Sequence, residues 1–309
     1  MNKNIRIVFM GTPDIARSIL HSLIVERYNI VGVVSQEDKP VGRKAILKPT
    51  PVKEEALEHN IPVFQPHRIR KEYDFLKELK PDLIITCAYG QLVPQEVLDI
   101  PTYKCINVHG SLLPKYRGAS PIQSSLINGD EVTGVTIMEM IYEMDAGQMF
   151  YKKEVKIEKD DNYTSLTKKI TEAGASALLE MLPDYLDNKI KGVEQDENLV
   201  TKCSKISKED EHLSLDNKVN FVNWVRGLAN TPGGYLLLDE TVFKIYKAEV
   251  VSDEVLGQVG EIVRCDKGGL FLQLKDGIVS LLEVQKQGKN IMDYKSFING
   301  AKILGKVLK

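Results

Sequence analysis

The chain has 309 residues, 43% of them hydrophobic, which is enough for one large domain or two ordinary ones, each with its own core. A formal net charge of −2 excludes a broadly basic, non-specific nucleic-acid binder but permits a local basic patch. Four widely spaced cysteines form no Cys-x-x-Cys pair and offer no zinc site, which suits reduced thiols in the cytoplasm, and the apolar run near the N-terminus is too short for a signal peptide or a membrane span.

Ile5–Met10 predicts a buried strand, and Gly11 follows it. Thr12 is expected to cap a helix whose first turn starts at Pro13. Ile15, Ile19, Leu20 and Leu23 then repeat at helical spacing. Ile30–Val34, Leu83–Ala88 and Cys105–Val108 predict three more buried strands. Strands that are apolar on both faces and alternate with helices imply a parallel sheet with helices on both sides. Ser120-Pro121-Ile122-Gln123 predicts a helix start with a capping box. Val132–Met140 and Met149–Ile157 read as strands, and Thr164–Leu186 as a long helix.

The pattern changes at Asp187. Residues 187–204 are polar and weakly periodic and read as a linker. Phe221–Leu228 suggests one more helix. Tyr235–Leu238, Val242–Val250, Gln258–Cys265, Leu270–Leu274 and Ile278–Gln285 are short strand-like runs with turn signals between them. They predict a small barrel or sandwich. The fold class is therefore α/β with a Rossmann-like, mostly parallel sheet over 1–186, a linker over 187–204, and a small β-domain over 205–309. The tail, "KILGKVLK", is basic.

The segment "FMGTPDIA" has one glycine where a dinucleotide fingerprint needs three, and no Walker A sequence occurs. The chemistry points instead to "CINVHGSLLP", Cys105–Pro114. Asn107 and His109 lie two positions apart, on one face at the carboxyl end of a strand, where open parallel sheets bind ligands. A preorganised amide can stabilise an oxyanion, and an imidazole can carry a proton near neutral pH. Asp145, in "EMDAG", could supply the third member that orients the imidazole. No activated serine or cysteine is evident, so direct transfer through a tetrahedral intermediate fits better than a covalent acyl-enzyme.

"NVHGSLLPKYRGASPIQ", Asn107–Gln123, resembles the folate-dependent formyltransferase family. Its Asn-x-His, Ser-Leu-Leu-Pro and Tyr/Trp-Arg-Gly-Ala-x-Pro-Ile motifs all match, and its Leu-Asp-Thr-Gly appears as Met144-Asp145-Ala146-Gly147. The resemblance runs along nearly the whole chain. It implies 10-formyltetrahydrofolate as co-substrate, without a metal. The pterin would contact the backbone around Ala88, Tyr89, Gly90, Gln91 and Leu92 and around Tyr142–Asp145, including Met144. Ser111, Leu112, Leu113 and Pro114 would line the pocket. Asn107, His109 and Asp145 would carry the transfer.

The same chemistry serves several amines in this family. "KPVGRKAILKPTPVKEEALEHNIPVFQP", Lys39–Pro66, looks like the loop and helix of the branch that formylates initiator methionyl-tRNA, with Lys39, Arg43, Lys44 and Lys48 as expected tRNA contacts. The amino-sugar-nucleotide branch is the alternative. Two departures concern the acceptor. The loop reads Gly42-Arg43-Lys44-Ala45-Ile46-Leu47 where that branch has Gly-Arg-Gly-Lys-Lys-Leu, and its Asn-Pro-Trp-Pro is replaced by "LANTPGGY". The β-domain is expected as an OB-like, tRNA-binding barrel with its basic tail on phosphates. A cytoplasmic monomer is expected.

Overall fold

The computed structural model describes residues 4–41 and 45–309. In chain order its elements begin with β1 (Ile7–Gly11), α1 (Asp14–Val25), β2 (Ile30–Val34), β3 (Lys39–Val41), β4 (Ile46–Lys48), α2 (Pro51–Glu58) and β5 (Val63–Phe64). They continue through α3 (Asp74–Leu79), β6 (Leu83–Cys87), α4 (Gln95–Leu98), β7 (Cys105–His109), β8 (Arg117–Gly118), α5 (Pro121–Ile127), β9 (Val132–Glu139), β10 (Met149–Lys156) and α6 (Tyr163–Leu186). The remainder comprises β11 (Lys202–Cys203), α7 (Lys218–Leu228), β12 (Gly234–Leu238), β13 (Thr241–Ser252), β14 (Ile262–Asp266), β15 (Gly269–Leu274), β16 (Gly277–Lys286), β17 (Met292–Asp293) and α8 (Tyr294–Ile298). The chain divides into two compact units. The first is Met1–Gly118, Thr133–Lys156 and Thr167–Cys203; the second gathers Ala119–Val132, Ile157–Leu166 and Ser204–Lys309.

The first unit is built on a seven-stranded sheet ordered β10-β9-β7-β6-β1-β2-β5. β5, β2, β1, β6 and β7 run parallel, and β9 is antiparallel to β7. β1 and β6 are buried along their whole length, as a sheet covered on both faces requires. Val8, Met10, Val34 and Ile84 pack with Leu76 of α3 and Val97 of α4. On the other face, Gly174 of α6 lets that helix sit close to Val108 and to Ile19 of α1. Strand order reverses at β1: β2 lies to one side and β6 to the other. The carboxyl ends of β1 and β6 therefore flank a crevice position that suits a ligand.

Gly11 has a packing reason rather than a nucleotide one. A Cβ there would come 2.6 Å from the Ala16 Cβ and 2.9 Å from the Cys87 carbonyl oxygen, so only glycine lets α1 leave β1 this tightly. Thr12 is not the helix cap that its position suggests. The helix starts at Asp14 after Pro13, and the Thr12 hydroxyl donates to the Tyr89 carbonyl at 2.9 Å instead. Its partner is a neighbouring strand end, which a local pattern does not reveal.

The 187–204 segment, read as a linker from its polarity, is stitched into the first unit. Val193 pairs with Met149, β11 pairs in parallel with β8, and the buried Gln195 is held by Arg117. Polar side chains here satisfy buried backbone rather than water.

In the second unit α5 lies against α7, and the antiparallel sheet runs β12-β13-β16-β15-β14 with β17 added beside β16. Phe221, Val225, Phe243, Leu272, Leu281 and Phe297 fill its core. Residues Val307 and Leu308 bridge to Glu261 and Leu238, joining the neighbourhood of β14 to the end of β12. That bridging closes the sheet into the expected barrel and removes two open edges. The basic tail is thus a structural element: Leu237 and Lys309 exchange backbone hydrogen bonds, and Lys306 pairs with Asp239. The capping box expected at Ser120 does not form, because its hydroxyl donates to the Ser204 carbonyl.

Candidate active site

β7 brings Asn107 and His109 to the carboxyl edge of the sheet, on one face, by its period of two. Thr86, buried at the same level of β6, donates its hydroxyl proton to the Asn107 Oδ1 at 2.8 Å. That bond sets the amide orientation and leaves the Nδ2 protons for another acceptor. Thr86→Val keeps the shape and removes the donor, so the amide can turn over. The expected result is a fall in kcat of about tenfold with unchanged KM, and Thr86→Ser restores most of it. Steady-state kinetics on the three proteins checks this.

His109 is 5% exposed. Its Nε2 faces the Tyr116 carbonyl oxygen at 2.9 Å. A carbonyl only accepts, so Nε2 carries a proton, and Nδ1 is the nitrogen left for chemistry. Nδ1 lies 3.7 Å from the Asp145 Oδ1. The distance exceeds a hydrogen bond but is close enough for strong attraction between a carboxylate and an imidazolium in a partly buried place. The tautomer is therefore set by the Tyr116 backbone, not by Asp145 as the triad logic suggests.

Asp145 is itself positioned by two groups. The Gly118 amide donates to its Oδ2 at 2.8 Å, and Gln195 Nε2 donates to the Asp145 and Gly147 carbonyls at 2.8 and 2.9 Å. Arg117 Nε in turn donates to Gln195 Oε1 at 2.9 Å, and its guanidinium pairs with Glu197. Gly118 has φ +129, and a Cβ there would meet the Cys203 carbonyl oxygen at 2.1 Å, so this amide can reach Asp145 only from a glycine. Ala88, Tyr116 and Asp145 all adopt left-handed backbone conformations, with φ of 46, 61 and 54°. Each costs about 1–2 kcal/mol, and such strain collects at functional sites. Tyr116, Gly118 and Gln195 were absent from the sequence-derived site; the Tyr/Trp-Arg-Gly motif held Tyr116 and Gly118 but gave neither a role, and nothing pointed to Gln195.

No covalent nucleophile is activated here. Ser111 is fully buried and donates its hydroxyl to the Lys115 carbonyl at 2.6 Å, with no base beside it. Burial pushes the Cys87 thiol up to about 12 and raises that of Cys105 as well, so both stay protonated and unreactive.

The expected co-substrate residues divide by exposure. Ala88, Gly90, Leu92, Tyr142 and Met144 are exposed, whereas Tyr89 turns its ring into the core. The Tyr89 carbonyl already accepts from Thr12 and from Gln36 Nε2, at 2.9 and 3.1 Å. Gln91 turns its amide to residues 66–69 and accepts from the Ile69 amide at 2.8 Å. Ser111 and Leu113 are buried, so they shape the Leu112–Pro114 turn from behind. Thr136 holds that turn, donating to the Ser111 carbonyl and accepting from the Leu113 amide.

Lys39 and Lys48 face each other as cross-strand partners of the β3–β4 hairpin, and both are exposed. Like charges directly opposite destabilise a hairpin, and an anion between them would relieve that cost. Lys53, the next lysine along this basic segment, is held within the fold, with Nζ 2.6 Å from Asp38 and 2.8 Å from Gln65. Arg43 and Lys44 lie outside the described residues.

Two family models match the chain: formyl transferase over residues 3–182, and formyl transferase, C-terminal domain, over 205–302. The methionyl-tRNA formyltransferase of Bacillus licheniformis is 43% identical over 96% of this chain and 95% of its own length. That of Malacoplasma penetrans is 40% identical over 96% and 94%. Among solved structures, an N-formyltransferase from Helicobacter canadensis in complex with folinic acid and dTDP-3-aminofucose matches with a TM-score of 0.68 at 19% identity, over 91% of this chain and 99% of that one. HypX from Aquifex aeolicus in complex with tetrahydrofolic acid matches with a TM-score of 0.66 at 17% identity, over 95% of this chain and 47% of that one. At these identities the two structures share the fold.

Proposed function

This chain belongs to the formyl transferase family, and on that premise we propose that it moves the formyl group of 10-formyltetrahydrofolate to the free amine of initiator methionyl-tRNA. The observation that carries this reading is the Asn107–His109–Asp145 arrangement at the sheet's carboxyl edge, in a chain so similar to methionyl-tRNA formyltransferases along nearly its full length.

The amine attacks the formyl carbon, and a tetrahedral intermediate forms. The new C–N bond replaces the bond to N10, and one proton passes from the amine to N10. The Asn107 Nδ2 protons and a protonated His109 Nδ1 stabilise the oxyanion. Asp145 holds the opposite charge beside the imidazolium and takes part in the proton movement, directly or through one water. The folate lies against exposed Leu92, Tyr142 and Met144, whose apolar surface a pterin would cover.

Residues 1–186 carry the transfer together with the 187–204 segment, whose Gln195 holds the Asp145 backbone, and 205–309 help to grip the tRNA. Lys39, Arg43, Lys44 and Lys48 contact its phosphates. No helix among the described residues is long and apolar enough to cross a membrane, and the cytoplasm is the proposed site of action, as a monomer. The test follows release of tetrahydrofolate from 10-formyltetrahydrofolate. Release that requires methionyl-initiator tRNA is expected. Release that requires an amino-sugar nucleotide instead, or no release with either acceptor, would overturn the reading.

A further inference from the structure

Away from the formyl-transfer site, α1 and α2 bring two imidazoles onto one buried carboxylate. Arg17 and His21 are one turn apart on α1, and Glu55 and His59 are one turn apart at the end of α2. His21 Nδ1 lies 2.6 Å from Glu55 Oε1, and His59 Nε2 lies 3.2 Å from the same oxygen. All three ligand atoms fall within 4.8 Å of one another, the one such His/Cys/Asp/Glu cluster among the described residues.

We propose that His21, Glu55 and His59 form a binding site for a divalent transition metal, Zn²⁺ first, that fastens α1 to α2. Zinc takes imidazole nitrogen and carboxylate oxygen at about 2.0–2.2 Å, so tetrahedral ligand atoms stand roughly 3.3 Å apart. The two nitrogen–oxygen separations, 2.6 and 3.2 Å, both fall short of that value by less than an ångström, and small side-chain movements that spread the ligand atoms admit the ion. Two imidazoles and one carboxylate are a ligand set zinc uses, and water completes it from the exposed side. The hard cations Mg²⁺ and Ca²⁺ prefer oxygen and are not matched here.

The surroundings suit a dication. Glu55 is 3% exposed, and its other oxygen, Oε2, accepts from Arg17 Nε at 3.0 Å. That bond fixes the carboxylate and presents Oε1 to the imidazoles, the kind of support that orients metal ligands. Arg17 also pairs with Glu54 and Glu58 at 3.3 and 3.5 Å. Three carboxylates against one guanidinium leave a local charge of −2 when the imidazoles are neutral. Without metal, each imidazole can donate a proton to Oε1. With metal, those protons move to the other ring nitrogens, and both rings are exposed enough to accept the change, at 55% and 38%.

The test uses the full chain stripped with a chelator and titrated with Zn²⁺ or Mg²⁺ in competition with a chromogenic chelator. One Zn²⁺ per chain is expected, with no comparable Mg²⁺ binding, and Zn²⁺ should raise Tm. His21→Gln and His59→Gln should each weaken Zn²⁺ binding by at least about tenfold and abolish the Tm rise. His67→Gln is the control, because the His67 ring faces one carboxylate, Glu37, and belongs to no three-ligand cluster among the described residues, so this variant should bind Zn²⁺ as the parent does. Both cluster histidines are substantially exposed, so the variants should fold, which circular dichroism checks. Failure to bind stoichiometric Zn²⁺, or equal affinity in parent and both cluster variants, would mean a hydrogen-bonded cluster only and would overturn the proposal.

Discussion

Asp145→Asn is expected to lower kcat by about 10²–10³ while leaving Tm within a few degrees of the parent. Asparagine keeps an acceptor oxygen for the Gly118 amide, which Asp145 Oδ2 engages at 2.8 Å. It also tolerates the left-handed backbone at this position, where φ is 54°. What it removes is the negative charge 3.7 Å from His109 Nδ1. Asp145→Ala loses the charge, the acceptor and the conformational tolerance together, so it should lower stability as well, by about 1–3 kcal/mol. His109→Ala should cost about 10²–10⁴ in kcat. It too carries a stability penalty, because the Tyr116 carbonyl then loses its 2.9 Å donor and must rely on the weaker Cys203 thiol at 3.4 Å. Single-turnover formylation separates these effects from tRNA release, and thermal melts report the fold. If Asp145→Asn formylates at near parental rate, Asp145 has no charge role in the transfer.

Asn107→Ala is the second large effect. Removing one preorganised oxyanion donor costs about 10²–10³ in kcat, roughly 3–4 kcal/mol of transition-state stabilisation. The KM values for both substrates should change little, because the amide is most useful when negative charge develops on the formyl oxygen. Asn107→Asp should be worse than alanine, since a carboxylate would face that developing charge. The Thr86 hydroxyl keeps an alternative acceptor in the Ile106 carbonyl at 3.3 Å, so the fold should tolerate the alanine. A rise in KM with unchanged kcat would instead make Asn107 a ground-state binding residue.

Much of the site was legible because its chemistry is local in the chain. Asn107 and His109 share one strand, and the strand period alone puts them on one face. The buried strands were legible for the same reason: apolar residues on both faces can only be satisfied by a covered parallel sheet. The small β-domain was readable from its turn spacing as a barrel or sandwich, though the segment that closes it was not. Closure depends on Val307 and Leu308 reaching Glu261 and Leu238, more than 40 residues away in the first pair and more in the second. The Thr12 and Ser120 caps failed for a related reason. Both hydroxyls found partners far away in the sequence, the Tyr89 and Ser204 carbonyls, and a local cap motif cannot anticipate such competitors.

The sequence by itself determined the elements, the parallel class of the first sheet, the pairing of an amide with an imidazole, and a resemblance strong enough to name the formyl chemistry. Periodicity and short motifs carry that information within a few residues of each side chain. Tertiary structure alone decided how those groups are aimed. Thr86 turns the Asn107 amide, the Tyr116 carbonyl engages His109 Nε2 and leaves Nδ1 toward Asp145, and Gly118 with Gln195 sets Asp145. It also decided that His21, Glu55 and His59 meet, although 34 residues separate the first two. Hydrogen-bond geometry depends on angles and tenths of an ångström between distant segments, and only packing of the folded chain specifies those.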